Sequence, residues 1–321
     1  MTLSPAWAVD GGRVPASVAR MLAWAATNGS NGVVQATDLA VTALPVPDGA
    51  VNVAPGGALM VNRFGGRAQA QTYVTANDAT IQVTIPPTSS TPRTDYLILR
   101  VDDWHFDSSQ QPENPLDATY CSLQRVTSLT GIAYPYVPLA KITIPASTGT
   151  ITPAMISDLR QVANPRTKRV LRPNALIWTE KETLANSTAQ GEYWPNKGGG
   201  QEVFVPEWAT RVKIRADWMS ILLPQGFCNG RVWVSFGDWD GKSWGKASQD
   251  YGFSNADIGF GNLRANVSVV DEMVIPPALR GRSVHFQAWG RATSSEKAVI
   301  DGWSGFSLDL TFEEVADSST T

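Results

Sequence analysis

Two cysteines, Cys121 and Cys228, and two histidines, His105 and His285, are all the thiols and imidazoles in 321 residues. That excludes a disulfide framework, a zinc site made of four thiolates and a multi-histidine metal centre. Charge is also scarce: 26 basic and 29 acidic residues make up 17% of the chain and leave a net charge of -3. A uniformly basic nucleic-acid or membrane-surface protein is therefore not expected. With 43% hydrophobic residues, neither is charge-driven disorder or a continuous coiled coil. No apolar run approaches the roughly 18 residues of a membrane span. The opening MTLSPAWAVDGGRV has neither the basic nor the apolar region of a signal peptide. These absences point to a protein made in the cytoplasm, not inserted in a membrane and holding no cofactor.

Catalytic signatures are missing too. No G-x-S-x-G elbow, H-E-x-x-H or P-loop occurs. A glycosidase needs two carboxylates about 5–9.5 Å apart; Asp238/Asp240, Glu192 and Glu313/Glu314 are nominees, but the sequence singles out no pair. The chain is expected not to be an enzyme, and no catalytic or metal-binding residue is assigned.

What is present is mostly strand punctuated by turns. One early helix is expected over 15–27, with Pro15 in the first turn and Val18, Met21, Leu22 and Ala25 at i, i+3, i+4, i+7. Asn28-Gly29 offers a stop able to take positive φ. Short apolar or alternating runs follow at 39–44, 51–53, 57–61, 69–74, 79–85, 95–101, 119–126 and 137–144, separated by Pro/Gly turns. Over 151–162, Thr152 as cap, Pro153 at the first position and Met155, Ile156, Leu159 and Val162 as a stripe predict a short linking helix. That helix is too short to stand alone. Met155, Ile156 and Leu159 are expected to pack on a symmetry-related copy, the alternative being the module's own sheet. Arg166, Lys168, Arg169 and Arg172 then lie between prolines with no acid among them, and 166–172 reads as a solvated basic linker.

The second half alternates cleanly. Val212, Ile214, Ala216 and Trp218 share one face, as do Val232, Val234 and Phe236, then Val284, Phe286 and Ala288, then Phe306, Leu308, Leu310 and Phe312. Half-buried strands of this kind build a sheet-on-sheet sandwich or jelly roll. The expected fold class is therefore all-β: two β-sandwich or jelly-roll-like domains, 1–165 and 173–321, with a short N-terminal helix and a short linking helix.

Nine of the twelve tryptophans lie beyond residue 175. Trp239 and Trp244 sit with Asp238, Asp240, Asp250 and Tyr251 in a glycine-rich stretch, GDWDGKSWGKASQDYGF. Aromatic faces beside carboxylates suit a pyranose, so Asp238, Trp239, Asp240, Trp244 and Tyr251 are candidate glycan contacts. The alternative is that both indoles merely cover a hydrophobic edge; a calcium loop lacks its later ligands. Trp233 and Trp289 fall opposite the Val/Phe faces of their strands. They need a partner there: a subunit, a ligand or an overlying loop, with the subunit interface preferred. In DDWHFD, an extended chain would set Asp103, His105 and Asp107 on one face, either as half a metal site or as a solvated strand end.

DLAVTALPVPDGAVNVAPGGALM (38–60), PRTDYLILRVDD (92–103) and YPYVPLAKITIPASTGTITPAMISDLR (134–160) together resemble the N-terminal region of actinobacteriophage minor tail proteins. That family's module ends in a D-x-R-like signature, here Asp158-Leu159-Arg160. The likeness spans about residues 15–162. It implies an oligomeric virion tail or baseplate component, attached through its N-terminal module to other tail or baseplate proteins, with its C-terminal module facing the host. Together with the tryptophan excess this leads to the expectation of a homotrimeric tail-tip adhesin for host cell-envelope polysaccharide. The alternatives are a purely structural tail scaffold and, further off, a polysaccharide depolymerase.

Overall fold

The computed structural model describes residues 15–64, 70–106, 111–174, 179, 181–238, 245–255 and 261–316. It is mainly β, and among these residues no helix is long and apolar enough to cross a membrane. Two compact units divide the chain. One runs to Pro165 and takes in the residues from Val315; the other is Arg166–Glu314.

The first unit surrounds one core with three small antiparallel sheets. Tyr136–Ile144 lies between Arg93–Val101 and Ile156–Asp158, with Cys121–Val126 beyond. Gly32–Val33, Gly56–Val61 and Thr72–Asn77 form the second sheet, and Val41–Ala43, Ala50–Val53 and Ile81–Thr84 the third. A register shift between Leu97 and Ile98 leaves one extra residue, Leu139, in the strand opposite. The shift changes that strand's parity, so Val137 and Leu139 before it and Ile142 and Ile144 after it all reach the core.

The helix is Ala16–Ala26, ended by positive φ at Asn28 and Gly29. None of its residues is buried. Its apolar stripe faces out: Met21 is 42% and Leu22 46% exposed, while Arg20 and Trp24 on the other side are half-buried.

Two expectations are corrected. The linking helix is a single 3-10 turn, Pro153–Met155, followed by strand Ile156–Asp158 on Tyr136–Ile144. One turn makes too few hydrogen bonds to propagate, whereas the neighbouring strand offers the backbone a ladder. Met155 and Ile156 pack on the unit's own core, and the Leu159 N–H donates to the Leu139 carbonyl. The basic stretch is a strand and not a linker: Thr167–Asn174 pairs along Gly305–Glu313. Three of its four cations meet acids or rings. Arg169 forks onto Asp309, Arg166 onto Glu314, and Lys168 lies over Phe204.

The second unit is a face-to-face sandwich. One sheet holds Thr167–Asn174, Gly305–Glu313, Arg211–Leu223, Val299–Ile300 and Glu182–Thr183, with Leu263–Val274 beside Arg211–Leu223. The other holds Glu192–Tyr193, Arg282–Ala292, Cys228–Gly237 and Lys246–Ala247, with Gly200–Val205 and Tyr251–Asn255 paired to it. The alternating apolar residues of all four long strands are buried together. Phe236 stacks on Phe286 at 5.0 Å, and Phe286 meets Phe312 of the opposite sheet edge-on at 6.4 Å.

Candidate functional site

Three of the five residues proposed for a sugar, Trp239, Asp240 and Trp244, lie in 239–244, outside the described residues. Asp238 is exposed, and its carboxylate pairs with Arg282. The Tyr251 phenol donates to the Val270 carbonyl at 2.6 Å while its ring leans on the core. Asp250 takes both Arg231 (2.9 Å) and Arg291 (3.3 Å).

Trp233 and Trp289 do occupy the outer face of their sheet, and they are register partners. Their rings lie parallel at 6.0 Å, and Tyr193 meets Trp289 edge-on at 4.7 Å. The Trp289 indole N–H donates to Ser235 Oγ at 2.6 Å, leaving Trp289 only 5% exposed. Of the three partners considered, the described chain supplies the loop. Gly191, just before the edge strand Glu192–Tyr193, sits against Trp233 with φ +71, where a Cβ would enter the indole. Carboxylates fix the shape of this segment. Glu192 accepts the N–H groups of Ala185 and Asn186; Glu182 accepts those of Asn196 (2.8 Å) and Lys197 (3.2 Å).

Between them lies an open cleft of about 380 Å³, lined by Glu182, Thr183, Glu192, Tyr193, Trp194 and Asn196. A tyrosine ring beside carboxylate and amide groups suits a polyhydroxyl ligand. Glu192 was visible in the sequence only as one carboxylate among several. What brings it to Glu182 is the antiparallel pairing of Glu192–Tyr193 and Glu182–Thr183 with distant strands, which no local spacing encodes.

Sequence reading also passed over Trp303, which is 81% exposed. Its turn is rigid. Asp301 accepts both Arg264 nitrogens (2.8 and 2.7 Å) and the Trp303 N–H (3.0 Å), and the Ser304 hydroxyl bonds the Ser220 carbonyl. The signal was the turn composition D-G-W-S-G. Arg264 holds the Asp301 carboxyl below the usual carboxylate range, and Arg169 does the same for Asp309. A depressed folded-state pKa stabilises the fold above the unfolded value of about 3.9 and loses that contribution as pH falls through the folded value. The unfolding midpoint is therefore expected to drop on acidification below about pH 4, and the drop to be shallower in Asp301→Asn. Denaturant titrations across that range check it.

DDWHFD forms a turn and not an extended strand, with the Phe106 N–H donating to the Asp103 carbonyl; Asp107 lies outside the described residues. Asp103 Oδ1 accepts His105 N–H and pairs with His105 Nδ1, both at 3.1 Å, and the Tyr73 hydroxyl donates to Oδ2 at 3.0 Å. Among the described residues, no three His, Cys, Asp or Glu side chains gather as a metal site. His285 sits against Gln287 at 3.2 Å on the outer face of its sheet.

No family model and no curated protein matches this chain. Among solved structures it is similar to the infectious bursal disease virus VP2 subviral particle, at 12% identity and TM-score 0.28 over 88% of this chain and 70% of that one. It is likewise similar to the Gx strain of that virus (14%, TM-score 0.27, 83% and 71%). Dimeric latent PorU from Porphyromonas gingivalis is similar at 10% identity and TM-score 0.28, covering 92% of this chain and 26% of that one. Similarities at these TM-scores carry no inference about function.

Proposed function

We propose that this protein is a structural component of a phage particle, a homotrimeric tail-tip or baseplate adhesin that contacts host cell-envelope glycan through its second unit. The observation that carries the reading is the outward apolar stripe of Ala16–Ala26. Val18, Met21, Leu22 and Ala25 form an uncharged face, and the helix's one charged residue, Arg20, turns inward toward Asp103. A helix this short needs a packing partner. An uncharged face with small alanines fits a second copy of itself better than a charged surface. The resemblance of 15–162 to minor tail proteins supports the same role. Repetition around a symmetry axis suits a glycan adhesin, because linked weak sites gain about 10²–10⁴ in avidity.

A purely structural scaffold is the second reading, favoured by the loop that covers Trp233 and Trp289. Two measurements separate them. Sedimentation of the purified chain is expected to give a trimer that Leu22→Glu converts to monomer; a wild-type monomer would sink the assembly reading. Particles carrying both Trp239→Ala and Trp244→Ala are expected to adsorb to host cells about tenfold or more weakly. Unchanged adsorption leaves the scaffold.

A further inference from the structure

The first unit contains a pocket that neither self-assembly through the helix stripe nor adhesion by the second unit employs. It encloses about 260 Å³, and its chemistry comes from Arg20 of the helix, Tyr73, the turn residues Asp103, Trp104 and His105, and Tyr120. Three aromatic rings from separate strands and turns form its walls. Asp103 is 9% exposed and already oriented: Tyr73, the His105 N–H and His105 Nδ1 hold its oxygens, and Arg20 approaches to 4.0 Å. Arg20 in turn lies over the Tyr73 ring at 4.7 Å and donates through Nε to Gln71 at 2.8 Å. Trp104 packs against the His105 ring at 3.7 Å.

Charge decides what fits. One guanidinium and one carboxylate cancel, so a cationic ligand would contend with Arg20 for Asp103 and an anionic one would face Asp103 itself. A neutral ligand meets neither obstacle. His105, whose Nδ1 lies 3.1 Å from Asp103 Oδ1, presents its imidazole on a side chain that is 62% exposed. The indole N–H of Trp104 and the guanidinium offer donors, and the rings offer flat apolar faces. Alternating C–H faces and hydroxyls meet that set of groups. Pockets for drug-sized ligands run from about 300 Å³ upward, so this volume suits one ring and not a chain of them. We infer that the first unit binds a single neutral pyranose residue here, in a pocket ordered before the ligand arrives.

The test is saturation-transfer NMR on the full chain carrying Trp239→Ala and Trp244→Ala, which silences the site proposed in the second unit, with methyl glycosides of glucose, galactose, mannose and rhamnose, and with glucuronate and choline as charged probes. At least one neutral glycoside is expected to receive saturation, at least tenfold less in Trp104→Ala and in His105→Ala. The His105 side chain is mostly exposed, so the second variant tests the site in an intact fold. Trp303→Ala is expected to leave the signal unchanged. The inference is overturned if no neutral glycoside responds, if both pocket variants respond like wild type, or if only a charged probe binds. Adsorption of particles carrying Trp239→Ala and Trp244→Ala is a separate readout, so the two readings fail independently.

Discussion

Replacing Arg160 by alanine is expected to destabilise the first unit by about 2–5 kcal/mol, because two backbone carbonyls lose a buried donor and each such loss costs about 1–3 kcal/mol. The guanidinium is fully buried. It forks onto Asp158, Nε to Oδ1 at 3.0 Å and a terminal nitrogen to Oδ2 at 2.7 Å, and its other terminal nitrogen donates to the carbonyls of Ala36 (3.1 Å) and Asp38 (2.6 Å). Alanine would strand two carbonyls, while the exposed Asp158 carboxylate turns to water. The clamp also holds the turn in which Leu39, nearly unexposed, takes φ +54. The turn is further tied by Asp38, which accepts the N–H groups of Gln35 and Gly57. Lysine keeps the charge but not the planar fork, so Arg160→Lys should fall between alanine and wild type. Urea unfolding of the three proteins gives the order; equal midpoints would remove the clamp from the account of this fold. The D-x-R signature thus has a physical meaning: Asp158 orients the arginine that ties the last strand of the unit to its first turn.

How legible this was in the sequence depends on how far apart the partners lie. Period-two alternation over five to seven residues placed Trp218, Phe236, Phe286 and Phe312 correctly in one core, because each strand carries its own face. The same logic failed over 151–162. Met155, Ile156, Leu159 and Val162 match a helical stripe, yet one turn and a short strand satisfy the same apolar positions, and only the waiting edge of Tyr136–Ile144 decides between them. The cations of 166–172 looked solvated because Asp309 and Glu314, which receive Arg169 and Arg166, lie about 140 residues away. For Trp233 and Trp289 the outward parity was readable, but the covering loop was not: it depends on Gly191 and on two glutamates binding backbone amides. The helix and its stripe were readable, but which side faces out was not, because it is Arg20 and not Leu22 that has partners, Asp103 and Gln71, far along the chain.

Trp218→Ala is expected to cost the second unit about 3–5 kcal/mol, the range for emptying a buried aromatic site. The indole is completely buried, meets Phe306 edge-on at 5.0 Å and donates its N–H to the Trp194 carbonyl at 2.9 Å. Trp218→Phe separates two contributions. It keeps much of the ring volume but leaves that carbonyl without its donor, a loss of about 1–3 kcal/mol on its own. The carbonyl belongs to a residue with a second duty. The Trp194 indole is itself buried, reaches the Glu182 carbonyl at 3.3 Å and lines the open cleft. A core residue on Arg211–Leu223 therefore positions the wall of a surface cleft through one hydrogen bond. Hydrogen exchange should reveal this: in Trp218→Phe, the amides of Asn196 and Lys197 bound to Glu182 are expected to exchange faster than in wild type, while those of Val234 and Ala288 in the opposite sheet hold their protection. Uniformly faster exchange across the unit would mean that the tryptophan stabilises the sandwich as a whole and does not position the cleft.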